Sequence, residues 1–167
     1  MKITDVRAEE YRWPRHTPIT NGLYTYTHSG INTVIVETDE GVTGIGLGGG
    51  IQDAPEVGQA ILEHLKQVVI GKDPLDIERH WHEMWRPKLV GRRGITTRVI
   101  SGLDIALWDL KAKIAGMPLY KLLGGFSNSV DTYIAGGYYE EGKGLRELAA
   151  EMERNMELGA TAVKMKV

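Results

Sequence analysis

The sequence contains no cysteine, which excludes disulfide bonds, thiolate metal sites and thiol nucleophiles. Positive charge is not in excess, because 20 Lys and Arg residues stand against 22 Asp and Glu residues, so nothing favours a nucleic acid partner. No run approaches the roughly 18 apolar residues of a membrane span, and the first residues lack the apolar region of a signal peptide. We therefore expect a soluble cytoplasmic protein that binds neither membranes nor nucleic acids.

Glycine, in contrast, is abundant, with 21 residues that fall mostly at the ends of predicted elements. Alternating apolar residues predict strands over 3–13, 32–38 and 42–47. Asp39-Glu40-Gly41 fits a hairpin loop with glycine in the left-handed conformation, which makes the three strands an antiparallel meander. Helical spacing of apolar residues then predicts three helices between Asp53 and Gly116. The fold class up to this point is α+β.

Residues 14–30 carry proline, glycine and several polar aromatic residues without a regular period, and this pattern predicts a long loop ending the first strand at Pro14. Loops of this kind often cover a ligand. Three side chains in it are candidate substrate-binding groups: Asn21, Tyr24 and His28. A plain solvated loop explains the same residues equally well.

The pattern changes after residue 126. Val130–Ala135 reads as a strand, Leu145–Leu158 as an amphipathic helix and Ala162–Val167 as a second strand. A strand, a crossover helix and another strand predict a βαβ unit with parallel strands. Since two parallel strands seldom stand alone, we expect residues 127–167 to begin a larger α/β domain whose remainder is absent here.

Lys164 and Lys166 fall on one face of that last strand, because side chains alternate between faces and two residues span about 7 Å. Inside a cleft with an effective dielectric near 20, two ammonium groups at that distance repel by about 2.4 kcal/mol. Such repulsion would make one lysine give up its proton more easily and act as a base near neutral pH. An ordinary solvent-exposed edge strand remains the alternative.

Three other patterns are weaker. Gly44, Gly46 and Gly49 satisfy G-x-G-x-x-G, but the preceding strand belongs to a hairpin, so we reject a dinucleotide site. His80 and His82 are two residues apart on a helix and point about 200° apart, so we interpret them as surface or packing residues. The charged residues of segment 104–113 are expected to form i, i+4 pairs or contacts between domains.

Several segments resemble the mandelate racemase and muconate lactonizing enzyme branch of the enolase superfamily. The longest is residues 100–113, ISGLDIALWDLKAK, followed by MPLYKLLGG at residues 117–125. Residues 36–46, residues 70–74 and the terminal Lys164-Met165-Lys166 fall in the same order as in that family. The resemblance covers nearly the whole chain.

This resemblance implies an α+β capping domain over residues 1–126, followed at 127–167 by the first βαβ unit of a modified (β/α) TIM-like barrel. It also implies that Lys166 removes the proton α to a substrate carboxylate and that Lys164 lies against this carboxylate. Enolase-superfamily sites use Mg²⁺ to stabilise the resulting enolate. The metal ligands of the family lie on later barrel strands, so we expect them beyond residue 167 and assign none within it.

Dehydration of a sugar acid is the reaction we expect, because the polar 14–30 segment suits a polyhydroxylated ligand. Racemisation, epimerisation or cycloisomerisation by the same family is the alternative. An alternative of another class is a non-catalytic, truncated cap that serves as an assembly module. By analogy with relatives we expect a homo-oligomer, either a dimer or an octamer.

Overall fold

The computed structural model describes residues 1–48, 54–86 and 94–166. The elements in chain order are β1 Ile3–Thr20, β2 Thr25–Thr38, β3 Thr43–Leu47, α1 Pro55–Val69, α2 Ile77–Trp85, α3 Ile95–Ile114, α4 Leu119–Leu122, β4 Tyr133–Gly136, α5 Leu145–Glu157 and β5 Ala162–Met165. They form two compact units. The first unit comprises Met1–Tyr11 and Ile31–Phe126, and the second comprises Arg12–Gly30 and Ser127–Val167.

The first sheet has the strand order β1-β2-β3, and β2 and β3 are antiparallel with Ile35 opposite Ile45. Gly41 has a φ of 77°, and its N–H donates to the Thr38 carbonyl over 3.1 Å. The predicted meander and its left-handed glycine are therefore confirmed. Asp53, the predicted start of the first helix, lies outside the described residues.

The prediction of a long loop over residues 14–30 was wrong. β1 continues through Pro14 to Thr20, and β2 begins at Thr25. An edge strand tolerates proline because it can lack a ladder hydrogen bond on its outer side, and β1 is such a strand. The connecting turn is made by Asn21, whose Oδ1 accepts hydrogen bonds from the N–H groups of Leu23 and Tyr24 over 3.2 and 3.0 Å.

The core of the first unit lies between the sheet and helices α1, α2 and α3. Val34 and Val36 of β2 are fully buried, as are Leu103 and Leu107 of α3. Most of the stabilisation of this unit comes from removing such side chains from water. Other members of this core are Ile3, Val6, Leu62, Leu65, Val69, Ile77, Met84, Val99, Ile100, Ala106 and Leu110.

Gly44 and Gly46 let β3 pack directly on α3. A Cβ atom at either glycine would lie closer than 3.0 Å to a backbone carbonyl oxygen of α3, that of Ala106 or Gly102. Two glycines of the G-x-G-x-x-G pattern therefore serve helix-to-strand packing, and Gly49 lies outside the described residues.

Charged groups on α3 reinforce this contact. Asp109 accepts a hydrogen bond from the Ile45 N–H over 2.8 Å and pairs with Lys113 at 2.7 Å, which confirms the expected i, i+4 pair. The Lys113 ammonium also donates to the Thr43 carbonyl over 2.9 Å. The backbone of β3 is thus held by two oppositely charged side chains of one helix.

His80 is a packing residue, as interpreted from its spacing. It is fully buried, and its Nε2 donates to the Asp73 carbonyl over 2.7 Å. The ring of its neighbour His82 contacts Trp81 edge to face at 5.5 Å. Neither arrangement resembles a metal site.

In the second unit β4 and β5 are parallel, and α5 connects them, which confirms the βαβ prediction. Ala135 lies opposite Lys164 in the register. The Gly144 N–H at the start of α5 donates to Glu147 Oε2 over 2.8 Å. β5 ends at Met165, one residue before Lys166, and Val167 lies outside the described residues. None of the helices in the described ranges has an apolar stretch long enough to cross a bilayer.

We expect Gly44→Ala to destabilise the protein by about 3 kcal/mol, because the added methyl group would push β3 away from α3. Thr43→Ala, an exposed change next to it on the same strand, should cost less than about 1 kcal/mol. Urea-induced unfolding followed by circular dichroism measures both. Equal midpoints for the two variants would contradict the close packing.

Candidate active site

Lys166 stands at the wall of a cleft of about 300 Å³ in the second unit, just beyond the carboxyl end of β5. The carboxyl ends of parallel strands are where α/β proteins usually bind ligands. The cleft is lined by Gly137, Tyr138, Tyr139, Glu140, Lys143, Gly144, Leu145, Leu148 and Lys166. Most of these residues belong to the loop that follows β4 and to the start of α5.

Each of the two predicted catalytic lysines faces an aromatic ring. Lys166 is half-buried, and its Nζ lies 5.5 Å from the centre of the Tyr138 ring. Lys164 is exposed, and its Nζ lies 5.9 Å from the ring of Tyr133. Such cation–π contacts contribute about 0.5–1 kcal/mol at exposed sites. The two lysines therefore have different aromatic neighbours, and of the two Lys166 is the one that lines the cleft.

The hairpin tip, which we define as residues 12–30, contacts the loop after β4. The ring of Tyr26 meets Tyr138 edge to face, with 6.4 Å between centroids. Thr20 and Tyr139 exchange two backbone hydrogen bonds of 2.9 and 3.0 Å. The Asn21 amide donates to the Tyr26 hydroxyl over 2.9 Å. A chain of contacts thus runs from Asn21 through Tyr26 and Tyr138 to Lys166.

The remaining predicted substrate-binding residues take different positions. Tyr24 is exposed and packs at an angle on Tyr26, with 6.5 Å between ring centroids. His28 is half-buried, and its Nδ1 forms a hydrogen bond with the Thr27 hydroxyl over 3.0 Å. Asn21 and Tyr24 are therefore grouped around Tyr26, whereas the contact of His28 is to its own chain neighbour.

Lys143 fixes the backbone of the loop after β4. Its ammonium group donates to the Tyr138 carbonyl over 2.9 Å and to Glu140 over 2.8 Å, and it is also paired with Glu151. Glu151 in turn accepts the Gly137 N–H over 3.0 Å. Only 11 % of the Lys143 side chain is exposed, so these bonds are shielded from water.

Both partners of this ion pair are charged at neutral pH. Burial lowers the pKa of Lys143, but its hydrogen bonds to Glu140 and Glu151 outweigh this and raise the pKa above its ordinary value. Burial likewise raises the pKa of Glu151, and the hydrogen bonds from Lys143 and the Gly137 N–H outweigh it and lower this pKa. The loop is consequently held by full charges.

Sequence reasoning missed Tyr138, Lys143 and Glu151. A signal for Tyr138 was present, since Gly137-Tyr138-Tyr139 follows β4 directly, at the point where a parallel strand ends. No local pattern marks the pair of Lys143 and Glu151, because the folding of the loop brings these two residues together. Within residues 1–48, 54–86 and 94–166, no group of three or more His, Asp or Glu residues could hold a metal ion.

Lysine side chains offer two kinds of chemistry at such a cleft. A neutral amine at the wall of a cleft can accept a proton, and an ammonium group can attract a carboxylate. Lys164 lies on β5, and Lys166 follows the end of this strand, two residues later. The cleft leaves space for a small polar molecule, and aromatic and charged side chains surround it.

Residues 3–124 match the model of the mandelate racemase / muconate lactonizing enzyme N-terminal domain. The chain belongs to this family. The family match covers the first sheet and helices α1 to α4, so the three-stranded sheet with its helices is the capping domain of the enolase superfamily.

Individual members of the family show the same similarity. The chain is 42% identical to the arabinonate dehydratase of Saccharolobus solfataricus over 135 residues, which covers 79% of this chain and 36% of that protein. It is 36% identical to the 3,6-anhydro-alpha-L-galactonate cycloisomerase of Streptomyces coelicolor over 168 residues, covering 99% of this chain and 46% of the relative.

Among solved structures, a racemase from Streptomyces coelicolor with bound magnesium superposes with a TM-score of 0.88 at 33% identity. The match covers 99% of this chain and 46% of the racemase. The chain therefore spans between about a third and a half of the length of these family members.

We expect Lys143→Met to destabilise the second unit by about 2 kcal/mol, below the roughly 3–5 kcal/mol of a fully buried pair because Glu151 is partly exposed. Lys143→Met combined with Glu151→Gln should recover much of this loss. The neutral amide still accepts the Gly137 N–H, and it removes the carboxylate charge at position 151 that Lys143→Met leaves unpaired. Thermal unfolding compares the variants, and a double variant less stable than Lys143→Met would argue against the ion pair.

Proposed function

We propose that this chain is the N-terminal part of an enzyme that removes the proton α to the carboxylate of a sugar acid and dehydrates it. Lys166 at the cleft wall, on a chain that belongs to the mandelate racemase/muconate lactonizing enzyme family, is the observation that carries this proposal. The name of the arabinonate dehydratase, at 42% identity, supports a sugar acid as substrate.

In this reaction the amino group of Lys166 accepts the α-proton, and the electrons of the broken C–H bond form an enolate. Lys164 binds the substrate carboxylate through its ammonium charge, which favours the added negative charge of the enolate. Departure of the β-hydroxyl group as water then gives an enol, which tautomerises to a 2-keto-3-deoxy acid. The group that protonates the leaving hydroxyl is not assigned to any residue of this chain.

Magnesium dependence is part of the proposal because a related racemase binds this metal. The described residues of this chain do not supply a site for it, since they contain no suitable cluster of His, Asp or Glu. We propose, as the family resemblance implies, that the ligands lie on residues that follow position 167, and no step above uses the metal.

The proposed domain organisation is a capping domain over residues 1–126 and the first βαβ unit of a TIM-like barrel over residues 127–167. Under this proposal Asn21, Tyr24 and His28 face the substrate from the hairpin tip. The position of Asn21 and Tyr24 around Tyr26, which contacts Tyr138 in the lining of the cleft, supports this for two of the three. We further propose a cytoplasmic homo-oligomer.

Cycloisomerisation is the second candidate. The cycloisomerase of Streptomyces coelicolor aligns over 99% of this chain, whereas the dehydratase aligns over 79%. Racemisation begins with the same α-proton removal. These reactions differ after the enolate has formed, so they share the proposed roles of Lys164 and Lys166.

Lys166→Ala in the full-length protein should reduce the exchange of the substrate α-proton with solvent deuterium by at least about a hundredfold, because a general base contributes on that order. Proton NMR of a panel of sugar acids in D₂O, including arabinonate, measures this exchange. Lys121→Ala, an exposed lysine on α4, is the matched control and should exchange normally. Undiminished exchange in Lys166→Ala would refute its role as the base.

The subunit mass separates the enzyme from a non-catalytic cap. We expect a denatured subunit well above the 18.5 kDa of these 167 residues, because the relatives are two to three times as long. Mass spectrometry of the protein purified from its native source measures this directly. A subunit of 18.5 kDa would favour the assembly module instead.

A further inference from the structure

Lys166 lies against one aromatic ring, and that ring is itself held by the hairpin tip. We propose that Tyr138 is a positioning residue for Lys166: its ring directs the amino group of Lys166 into the cleft, and Tyr26 holds the ring in place. The proposal rests on the proposed function, because it concerns the lysine assigned there as the base.

A lysine side chain needs such support to act as a base in a defined position. It has four rotatable bonds, and proton transfer depends on placing the nitrogen within hydrogen-bond reach of the reacting atom. Among the described residues, Lys166 has no ion-pair partner, and its Nζ lies 5.5 Å from the Tyr138 ring. The aromatic face is therefore the contact that orients this nitrogen.

Tyr138 is held both at its ring and at its backbone. Tyr26 meets it edge to face, and the Tyr26 hydroxyl accepts a hydrogen bond from Asn21. Lys143 binds the Tyr138 carbonyl oxygen, and the backbone of the next residue, Tyr139, is paired with Thr20. A ring so restrained can restrain a flexible cation in turn.

Tyr133 and Lys164 provide a comparison within the same unit. Tyr133 is 56% exposed, and its distance to the Lys164 Nζ is 5.9 Å. Tyr138 is half-buried and packs on another ring. A lysine that only binds a carboxylate can do so from a range of positions. A lysine that removes a proton from one C–H bond must have its nitrogen placed more accurately.

The proposal assigns the role to the ring and not to the hydroxyl group, and paired variants of the full-length protein test this. Tyr138→Leu should lower kcat for α-proton exchange by about 10–100-fold, in line with the effect of small misplacements on catalysis. KM should change by less than about threefold, because Lys164 still binds the carboxylate. Tyr138→Phe keeps the ring and should retain kcat within about threefold.

Two further variants control the experiment. Tyr120→Leu replaces a partly exposed tyrosine on α4 and should leave kcat and KM unchanged. Tyr26→Leu removes the support of the ring without touching Lys166 and should lower kcat by less than Tyr138→Leu does. Thermal unfolding of each variant shows whether it is folded. If Tyr138→Leu is not folded, Tyr26→Leu serves as the test instead.

NMR of the lysine amino groups tests the contact between Lys166 and Tyr138 without measuring enzymatic activity. It can therefore test the positioning role independently of the proposed function. Lysine amines labelled with ¹³C-methyl groups give NMR signals that shift when an aromatic ring lies close by. The Lys166 signal, identified by its loss in Lys166→Arg, should shift in Tyr138→Leu and stay in place in Tyr138→Phe. An unchanged signal, or equal kcat losses in the Phe and Leu variants, would overturn the positioning role.

If Lys166→Ala exchanges normally while the ring-dependent signal is present, the proposed base is wrong but the contact is real. If Lys166→Ala is inactive while Tyr138→Leu keeps the full kcat, the base stands and the positioning role fails. The two hypotheses therefore fail through different results.

Discussion

The loop after β4 depends on a nearly buried ammonium group. Lys143 joins Glu140, Glu151 and the Tyr138 carbonyl, and Glu151 joins the Gly137 N–H. A charge this poorly hydrated is stable only when it is paired, so these groups stay together in the folded state. Because Tyr138 is part of this loop, the same charges that stabilise the backbone also determine where its ring stands beside Lys166.

The hairpin tip contacts residues of the cleft that lie far from it along the chain. β1 and β2 continue beyond the apolar residues that hold them in the first unit, and their tip places Tyr26 against Tyr138. Backbone hydrogen bonds between Thr20 and Tyr139 fix the orientation of the tip relative to the loop after β4. Variation in a hairpin tip can therefore alter a cleft without any change in the core, which suits a family whose members carry out different reactions.

Prediction from the sequence succeeded where a period was strong and failed where it was weak. The helices near residues 60 and 105, the meander and the βαβ unit followed from apolar spacing, since burial of one face imposes that spacing. The 14–30 segment has no such spacing because most of its side chains are exposed. Pro14 and Pro18 made this part of β1 look like a loop in the sequence. The strand depends on backbone hydrogen bonds, and these do not require a particular order of side chains.

The amino-acid order by itself determined the strands and helices of the capping fold and placed Lys164 on β5 with Lys166 just beyond its end, because the apolar spacing that marks an element is local to it. Tertiary structure alone decided that Lys166 lines a cleft with Tyr138, that Tyr26 supports this ring, and that Lys143 and Glu151 hold the loop. The contact between Tyr26 and Tyr138 joins the hairpin tip to a residue more than 100 positions later, and only the folded backbone brings two such residues together.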